Sequence, residues 1–256
     1  MNKYFQVFNF NLKAQFNFKA NYLFSLFSFA IHILVFSSLW NYILKDKLLF
    51  GYSKLDLIWY VIMGEFIIYT TTHNYKRISE MVKNGDIANM LTKPITFAFY
   101  LFAEELASIV KVFANLLFAI TLGILMAGVI DMSFTQLIYI IISSSISIVL
   151  ILLIEIIIGL LAFLTEENEP FYLLISKAML IVVFAPLDFF PSMAQKVLTF
   201  LPTTYIIYSP AKLLVHYDVN QVSWLLSSQV LSLIFFVILI YILSKKGVQN
   251  INVNGG

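Results

Sequence analysis

Four charged side chains, Glu65, Lys111, Glu155 and Lys177, fall inside apolar runs of this sequence. A charge at the centre of a bilayer costs roughly 2.5–3.5 kcal/mol on insertion scales, so such residues face protein or water and are candidates for lining a pathway. They are equally candidates for structural ion pairs that hold a helix bundle together. Glu155 precedes Glu166 by eleven residues, about 16 Å of helix. Lys177 follows Glu169 by eight, about 12 Å. On consecutive antiparallel helices these two would form a pair. Covalent and metal chemistry find no such support. His32, His73 and His216 lie in separate regions, without the H-E-x-x-H spacing of a metal site. The serine run at 143–147, "SSSIS", suits close helix packing, since small residues let membrane helices approach. No G-x-x-x-x-G-K-[ST] phosphate loop occurs, so any ATP chemistry comes from a partner. The sequence thus offers no catalytic residue, no metal ligand and no cofactor on this chain.

The elements that must position these charges are apolar helices. Hydrophobic residues make up 61% of the 256 and charged residues 12%, with a mean hydropathy of +0.89. Soluble domains average about 45–50% apolar and about 25% charged residues. Runs near 20 apolar residues span a bilayer as helices. The reading is an all-α integral membrane protein, one domain over 1–256. A net charge of +2 with no basic stripe excludes a nucleic-acid partner. With no cysteine there is no disulfide or thiol chemistry.

Six spans are expected, at 20–43, 56–75, within 96–130, 134–164, 170–186 and 221–244. The start of the third, through Glu104 and Glu105, belongs to the interface or extends beyond it. With both termini inside, the inner face holds nine Lys and Arg (3, 13, 19, 76, 77, 83, 93, 245, 246) against five outside (45, 47, 54, 196, 212). The positive-inside rule favours that orientation. Trp40, Trp59 and Trp224 then fall near outer ends, as an aromatic belt would; the alternative is that they fill packing gaps. The beginning of the chain lacks the compact apolar core of a signal peptide. Phe5, Phe8, Leu12 and Phe16 have the spacing of an amphipathic helix over 1–18, although Phe8 to Phe18 also alternate as a strand would. The stretch 186–215 carries four of the six prolines among abundant apolar residues. Broken helices dipping into the outer leaflet fit it, provided they pack on protein; an ordinary outer loop is the alternative.

The most polar internal segment is "HNYKRISEMVKNGDIANMLTKPI", 73–95. Ile78, Met81 and Val82 share one face of a short helix, and Lys76, Arg77, Glu80 and Lys83 cover the other. Asn84-Gly85 is a helix stop, Asp86 an N-cap for a second short helix with Ile87, Met90 and Leu91 on its apolar edge, and Pro94 a restart. Such a segment can face water and still insert apolar side chains into a groove.

These residues resemble the cytoplasmic loop of ABC-2-type permeases, the membrane subunits of ABC exporters. Arg77, Ile78, Gly85, Asp86, Leu91 and Pro94 carry the resemblance, together with the tail "SKKGVQNINVNGG" and the proline-rich stretch. It is closest to the branch in which a permease of this length works with a separate ATPase, often beside a second, related permease. The resemblance implies six transmembrane helices with an N-terminal amphipathic elbow helix (1–18), a cytoplasmic coupling segment (76–94) and re-entrant outer half-helices (186–215). It implies an ATPase-coupling interface at Arg77, Ile78, Glu80, Met81, Gly85, Asp86, Met90 and Leu91, with ATP and Mg on two copies of a cytoplasmic ATPase and a second permease, identical or related. The loop "TEENEP" would bring Glu166, Glu167 and Glu169 beside that ATPase, or is a solvated turn. The protein would sit in a bacterial plasma (inner) membrane with both termini cytoplasmic. Three other readings compete. An intramembrane enzyme needs clustered polar residues, whereas these spans offer lone charges. A membrane assembly or tethering protein would have no ATPase partner. A secondary transporter would show interrupted helices in matching halves, whereas the breaks fall in the second half.

Overall fold

The computed structural model describes residues 6, 10, 19–45, 47–70, 74–86, 100, 109–165 and 167–254. The elbow region 1–18, save Gln6 and Phe10, and residues 87–99 and 101–108 lie outside them. The described chain is helical: α1 (Lys19–Leu44), α2 (Lys54–Tyr69), α3 (Tyr75–Lys83), α4 (Ile109–Ala127), α5 (Phe134–Leu160), α6 (Glu169–Phe184), α7 (Ser192–Phe200), α8 (Thr204–Val215) and α9 (Val219–Asn254). Short 3-10 turns follow α5 (Leu161–Phe163) and α6 (Leu187–Phe189). No strand occurs among the described residues, only an isolated bridge between Leu49 and Tyr52.

Among the described residues, three helices are long and apolar enough to cross a membrane: Tyr22–Leu44, Phe134–Phe163 and Val219–Lys245. A shorter apolar stretch, Lys111–Ala127, fills α4. The 16 residues each of α2 and α6 reach about 24 Å, less than the ~30 Å hydrocarbon core. The chain is membrane-embedded, and its surface agrees: Phe24, Leu125, Phe134, Leu174 and Tyr241 are all exposed large apolar side chains.

The core is built on two helices that need no solvent face. α2 is buried continuously from Leu57 to Ile67, and α8 from Thr204 to Leu214. They pack on each other; α1, α4 and α6 surround α2, while α5, α6 and α9 surround α8. Close approach is set by small residues. A Cβ on Gly64 would meet Val183 and Ile207 at 3.0–3.1 Å, and one on Gly123 would collide with the Trp59 ring.

Broken helices leave carbonyls without an N–H donor, and in a bilayer each must find one within the protein. At the ends of α2, α6 and α8 the donors are side chains from neighbouring helices. Pro186 cannot donate to the Val182 carbonyl one turn earlier; the Tyr60 hydroxyl does so at 3.0 Å. Gln136 Nε2 donates to the last-turn carbonyls of α8, Leu213 and Leu214, both at 3.0 Å. Asn115 Nδ2 donates to Tyr69 O at the end of α2, at 2.8 Å. The proline-rich stretch 186–215 is thus a set of short helices of two kinds: α8 is buried among its neighbours, whereas α7 buries no residue and leaves Met193, Val197 and Phe200 exposed.

Two of the three tryptophans correct the aromatic-belt expectation. Trp40 and Trp59 are 3% and 8% exposed, whereas Trp224 is 42% exposed. Trp59 lodges between α2 and α4, donating to Gly128 O at 3.1 Å. Trp40 stacks on Phe184 of α6. Both fill space that small or distant neighbours leave open.

Candidate functional site

The polar segment forms α3, nine residues long. A helix this short is unstable alone and needs a packed face. Tyr75, Ile78, Ser79 and Val82 supply it and are buried, at the i, i+3, i+4, i+7 spacing of one helical stripe. Gly85, at φ +76, ends the helix in the left-handed region, and its N–H bonds Val82 O. The stop expected at Asn84-Gly85 is thus in place.

The surface beneath α3 is the last two turns of α5. Glu155 and Gly159 are four residues apart and share a face. Glu155, 4% exposed, accepts the Asn74 backbone N–H at 2.8 Å. A carboxylate there satisfies an orphan donor and complements the positive end of the α3 dipole. Gly159 lies directly under Ile78: a Cβ added to it would stand 2.5 Å from Ile78 Cβ and Cγ2. The loop before α6 closes the third side. Glu169 accepts from the Tyr75 hydroxyl at 2.8 Å and pairs with Lys76 at 3.3 Å. Tyr172 stacks on Tyr75 at 4.3 Å between ring centroids. Asn168 Nδ2 donates to the Ile158 and Gly159 carbonyls, capping α5. Burial, and then the bond to Glu169, hold the Tyr75 phenol above its ordinary pKa, so it stays a neutral donor.

The two polar loops are therefore one body, clamped to the end of α5. Its outward face carries Lys76, Glu80, Lys83, Asn84 and Asp86, all exposed, with Arg77, Met81 and Gly85 half-buried beside them. A shallow open hollow of about 410 Å³ lies beside Lys83, lined otherwise by residues 162–165. Ile78 is 1% exposed and points into the chain's own α5, so its job is to seat α3. Glu167 is exposed. Met90, Leu91 and Glu166 lie outside the described residues.

An apolar helical bundle bearing such a docked polar helix has a counterpart in sequence. Residues 19–255 match the family described as ABC-2 family transporter protein. The chain belongs to that family. No curated protein matches it. In this ABC-2 family protein the match takes in every described helix, and a membrane transport subunit accounts for the fold better than an enzyme does.

The intramembrane charges are placed differently from the sequence expectation. Glu155 does not meet Lys177: it serves the start of α3, and among the described residues no ion pair joins the two. The depth estimate took α5 to end at the membrane surface, but its 27 residues span about 40 Å and carry Glu155 toward the polar end. Lys111 sits in the first turn of α4, half-buried. Glu65, 1% exposed, lies 3.3 Å from His32 Nδ1.

Two polar centres of this ABC-2 protein went unread in the sequence. Lys212, on the buried helix α8, pairs with Asp188 Oδ2 at 2.7 Å and donates to the Tyr52 hydroxyl at 2.8 Å. Tyr52 and Tyr208 donate to the same carboxylate. Burial works to raise the Asp188 pKa, but the Lys212 and Tyr52 hydrogen bonds and the Lys212 charge prevail and hold it below the ordinary carboxylate value. The second centre is Gln229 of α9, wholly buried. It accepts from Ser143 Oγ at 2.9 Å and donates to Ser147 Oγ at 2.8 Å. Ser143 and Ser147 of the serine run thus face α9, whereas Ser145 is exposed.

Proposed function

We propose that this chain is the membrane-spanning subunit of an ATP-driven exporter, forming half of its translocation pathway, and that α3 is its coupling helix. The observation that carries the reading is the clamp: a short polar helix fixed to the end of a long membrane helix, with its charged face left exposed. A helix seated in this way passes a push on its outer face to α5, the longest buried helix of the bundle. ATP and Mg belong to a separate cytoplasmic ATPase, present in two copies and gripping residues 76–94. Glu166 and Glu167 flank that contact. ATP-driven closure of the two ATPase subunits would move this chain against a second permease, identical or related, as a rigid-body switch. The chain is one permease domain of six spans, with an elbow helix over 1–18 and the re-entrant segment 186–215 on the outer side. Both termini lie on the cytoplasmic side of a bacterial inner membrane, as the lysine and arginine distribution supports.

The test is co-purification. The chain, expressed with its genomic neighbours and extracted in mild detergent, is expected to bring down an ATPase. Glu80→Lys with Asp86→Lys reverses two exposed charges without touching the packed face. Recovery of the ATPase is expected to fall by roughly tenfold or more. An ATPase recovered equally with both chains would remove α3 from the interface.

A further inference from the structure

Residues 128–133 join α4 and α5 into a hairpin, and both arms pack against α2. Between the arms lies a groove of about 640 Å³. Its floor is Trp59, Ile62, Met63 and Phe66 of α2, each at most 8% exposed. Its rims carry Phe113 and Ile120 of α4 and Ile141 of α5, all exposed. The hairpin loop closes one end with Val129, Ile130 and Met132. The other end lies at Val112 and Leu152, toward the side on which α3 docks.

The groove's chemistry, width and surroundings name its occupant. Its lining is apolar, and its few polar atoms are spent. The Ser144 and Ser145 hydroxyls donate to Ile140 O and Ile141 O of their own helix, both at 2.7 Å, and the Trp59 N–H donates to Gly128 O. Among the described residues, no lining side chain has a donor left for water or a headgroup. Apolar cavities far smaller than this, about 150 Å³, stay dry and take up hydrocarbon. The base is also narrow, since the floor is buried beneath exposed rims. A helix, about 10–12 Å across, would rest on those rims and leave the floor empty. Such a void forfeits the dispersion contacts of the side chains around it. A single file of methylenes reaches the floor. Finally, the groove is continuous with the bilayer-facing surface, because its rims are exposed apolar side chains and α5 crosses the membrane. It runs about 18 Å along α4, from Val112 to Ile124, and about 22 Å along α5, from Leu137 to Leu152. One leaflet supplies roughly half of the ~30 Å hydrocarbon core, so a whole lipid tail fits lengthwise.

We propose that this groove is a binding site for one acyl chain of a bilayer phospholipid, which enters from the leaflet on the α3 side and points its terminal methyl at the hairpin loop. Lipid tails are as apolar as the lining, so close packing on three helices, and not the hydrophobic effect, makes this chain long-resident. The proposal rests on the membrane-embedded fold and stands apart from the exporter reading.

The test places the full chain in phosphatidylcholine nanodiscs doped with phosphatidylcholine that carries a diazirine either near the glycerol or at the chain end. After irradiation, adducts on the groove-lining peptides of α2, α4 and α5 are expected to exceed those on the exposed face of α9 roughly tenfold. The chain-end probe should mark the level of Met132 and Leu137, and the glycerol-end probe that of Val149 and Leu152. Ser145→Trp and Ile120→Trp fill the groove from opposite arms, and both positions are exposed, so the core is untouched. Each should bring groove labelling down to the α9 level, whereas Ser227→Trp, on α9, should not. Uniform labelling of all exposed apolar faces, or groove labelling that survives both fillings, would overturn the site. A reversed depth pattern would overturn the direction of entry. In native membranes a benzophenone on Ser145→Cys is expected to capture lipid. Capture of a protein there would put a partner's helix in the groove and overturn the proposal. The depth pattern of the native chain decides the matter even where a filled variant fails to fold.

Discussion

Replacing Gly159 by leucine is expected to release the proposed ATPase partner from this ABC-2 family protein while leaving its membrane bundle folded. Even a lone Cβ at 159 would stand 2.5 Å from the Ile78 side chain and 3.3 Å from Tyr75 O. Neither neighbour can yield cheaply, because Ile78 Cβ is fixed to the backbone of α3 and Tyr75 O belongs to it. Overpacking a tight contact costs about 1–3 kcal/mol, and the three heavy atoms that leucine carries beyond its Cβ raise that. The clamp has limited means to resist. It consists of one buried apolar stripe, the Glu155 contact and the half-exposed bonds of Glu169. The helix should therefore lift off, taking its docking face out of register. ATPase recovery is expected to drop by more than about tenfold, the equivalent of ~1.4 kcal/mol. The thermal midpoint of the detergent-solubilised chain should move little, since the α2–α8 core lies elsewhere. Gly159→Ala should fall between. A leucine variant that retains the ATPase would mean that the seat of α3 is irrelevant to coupling.

The largest loss of stability is expected at the opposite end of the bundle, from Lys212→Met. Lys212 is 5% exposed and its ammonium is shared between Asp188 and Tyr52. Removing it leaves a half-buried carboxylate held only by tyrosine hydroxyls. Breaking a buried pair from one side typically costs about 3–5 kcal/mol, because the remaining charge is uncompensated. Thermal unfolding in detergent should show a fall of many degrees. The double change Lys212→Met with Asp188→Leu should recover most of it, which separates a lost pair from a simple packing defect. The pH dependence follows from the same carboxylate. Its folded pKa lies below the unfolded value of about 3.9, so its stabilisation is complete above that value. It is lost as pH falls through the depressed folded pKa. The native chain should therefore hold its midpoint from neutral to mildly acidic pH, and Asp188→Asn should lack the further acid drop.

How legible was this in the sequence? The helices were, because apolar runs and proline positions are local signals. Asn84-Gly85 ended α3 where the left-handed stop was expected, and Pro186 closed α6. The polar segment was also recognisable, since an amphipathic stripe declares itself by spacing. What α3 packs against was not. Ile78 read as a side chain offered to a partner, whereas it sits on Gly159, eighty-one residues away in the chain. No local pattern distinguishes an apolar stripe that docks on its own protein from one that docks on another. Glu155 was noticed for the right reason, as a charge in an apolar run, and given the wrong partner. The error came from measuring depth along α5 as though the helix ended at the membrane. Lys212 was counted among the outer charges, within the proline-rich stretch, yet α8 continues through Pro210 and buries it. Gln229 carried no signal beyond its polarity, because its partners are carbonyls and hydroxyls on distant helices.

The most direct measurement uses the absence of cysteine from the chain. Single cysteines at Glu80, on the uncovered face of α3, and at Lys54, at the start of α2 on the far side of the bundle, are labelled with a maleimide-benzophenone. Each chain is then irradiated in native membranes containing its genomic neighbours. The expected result is an adduct between Glu80→Cys and an ATPase-sized protein that mass spectrometry identifies by its nucleotide-binding sequence, with none from Lys54→Cys. No such adduct at position 80, in membranes where that ATPase is present, would mean that α3 is an internal brace of the bundle and not its handle.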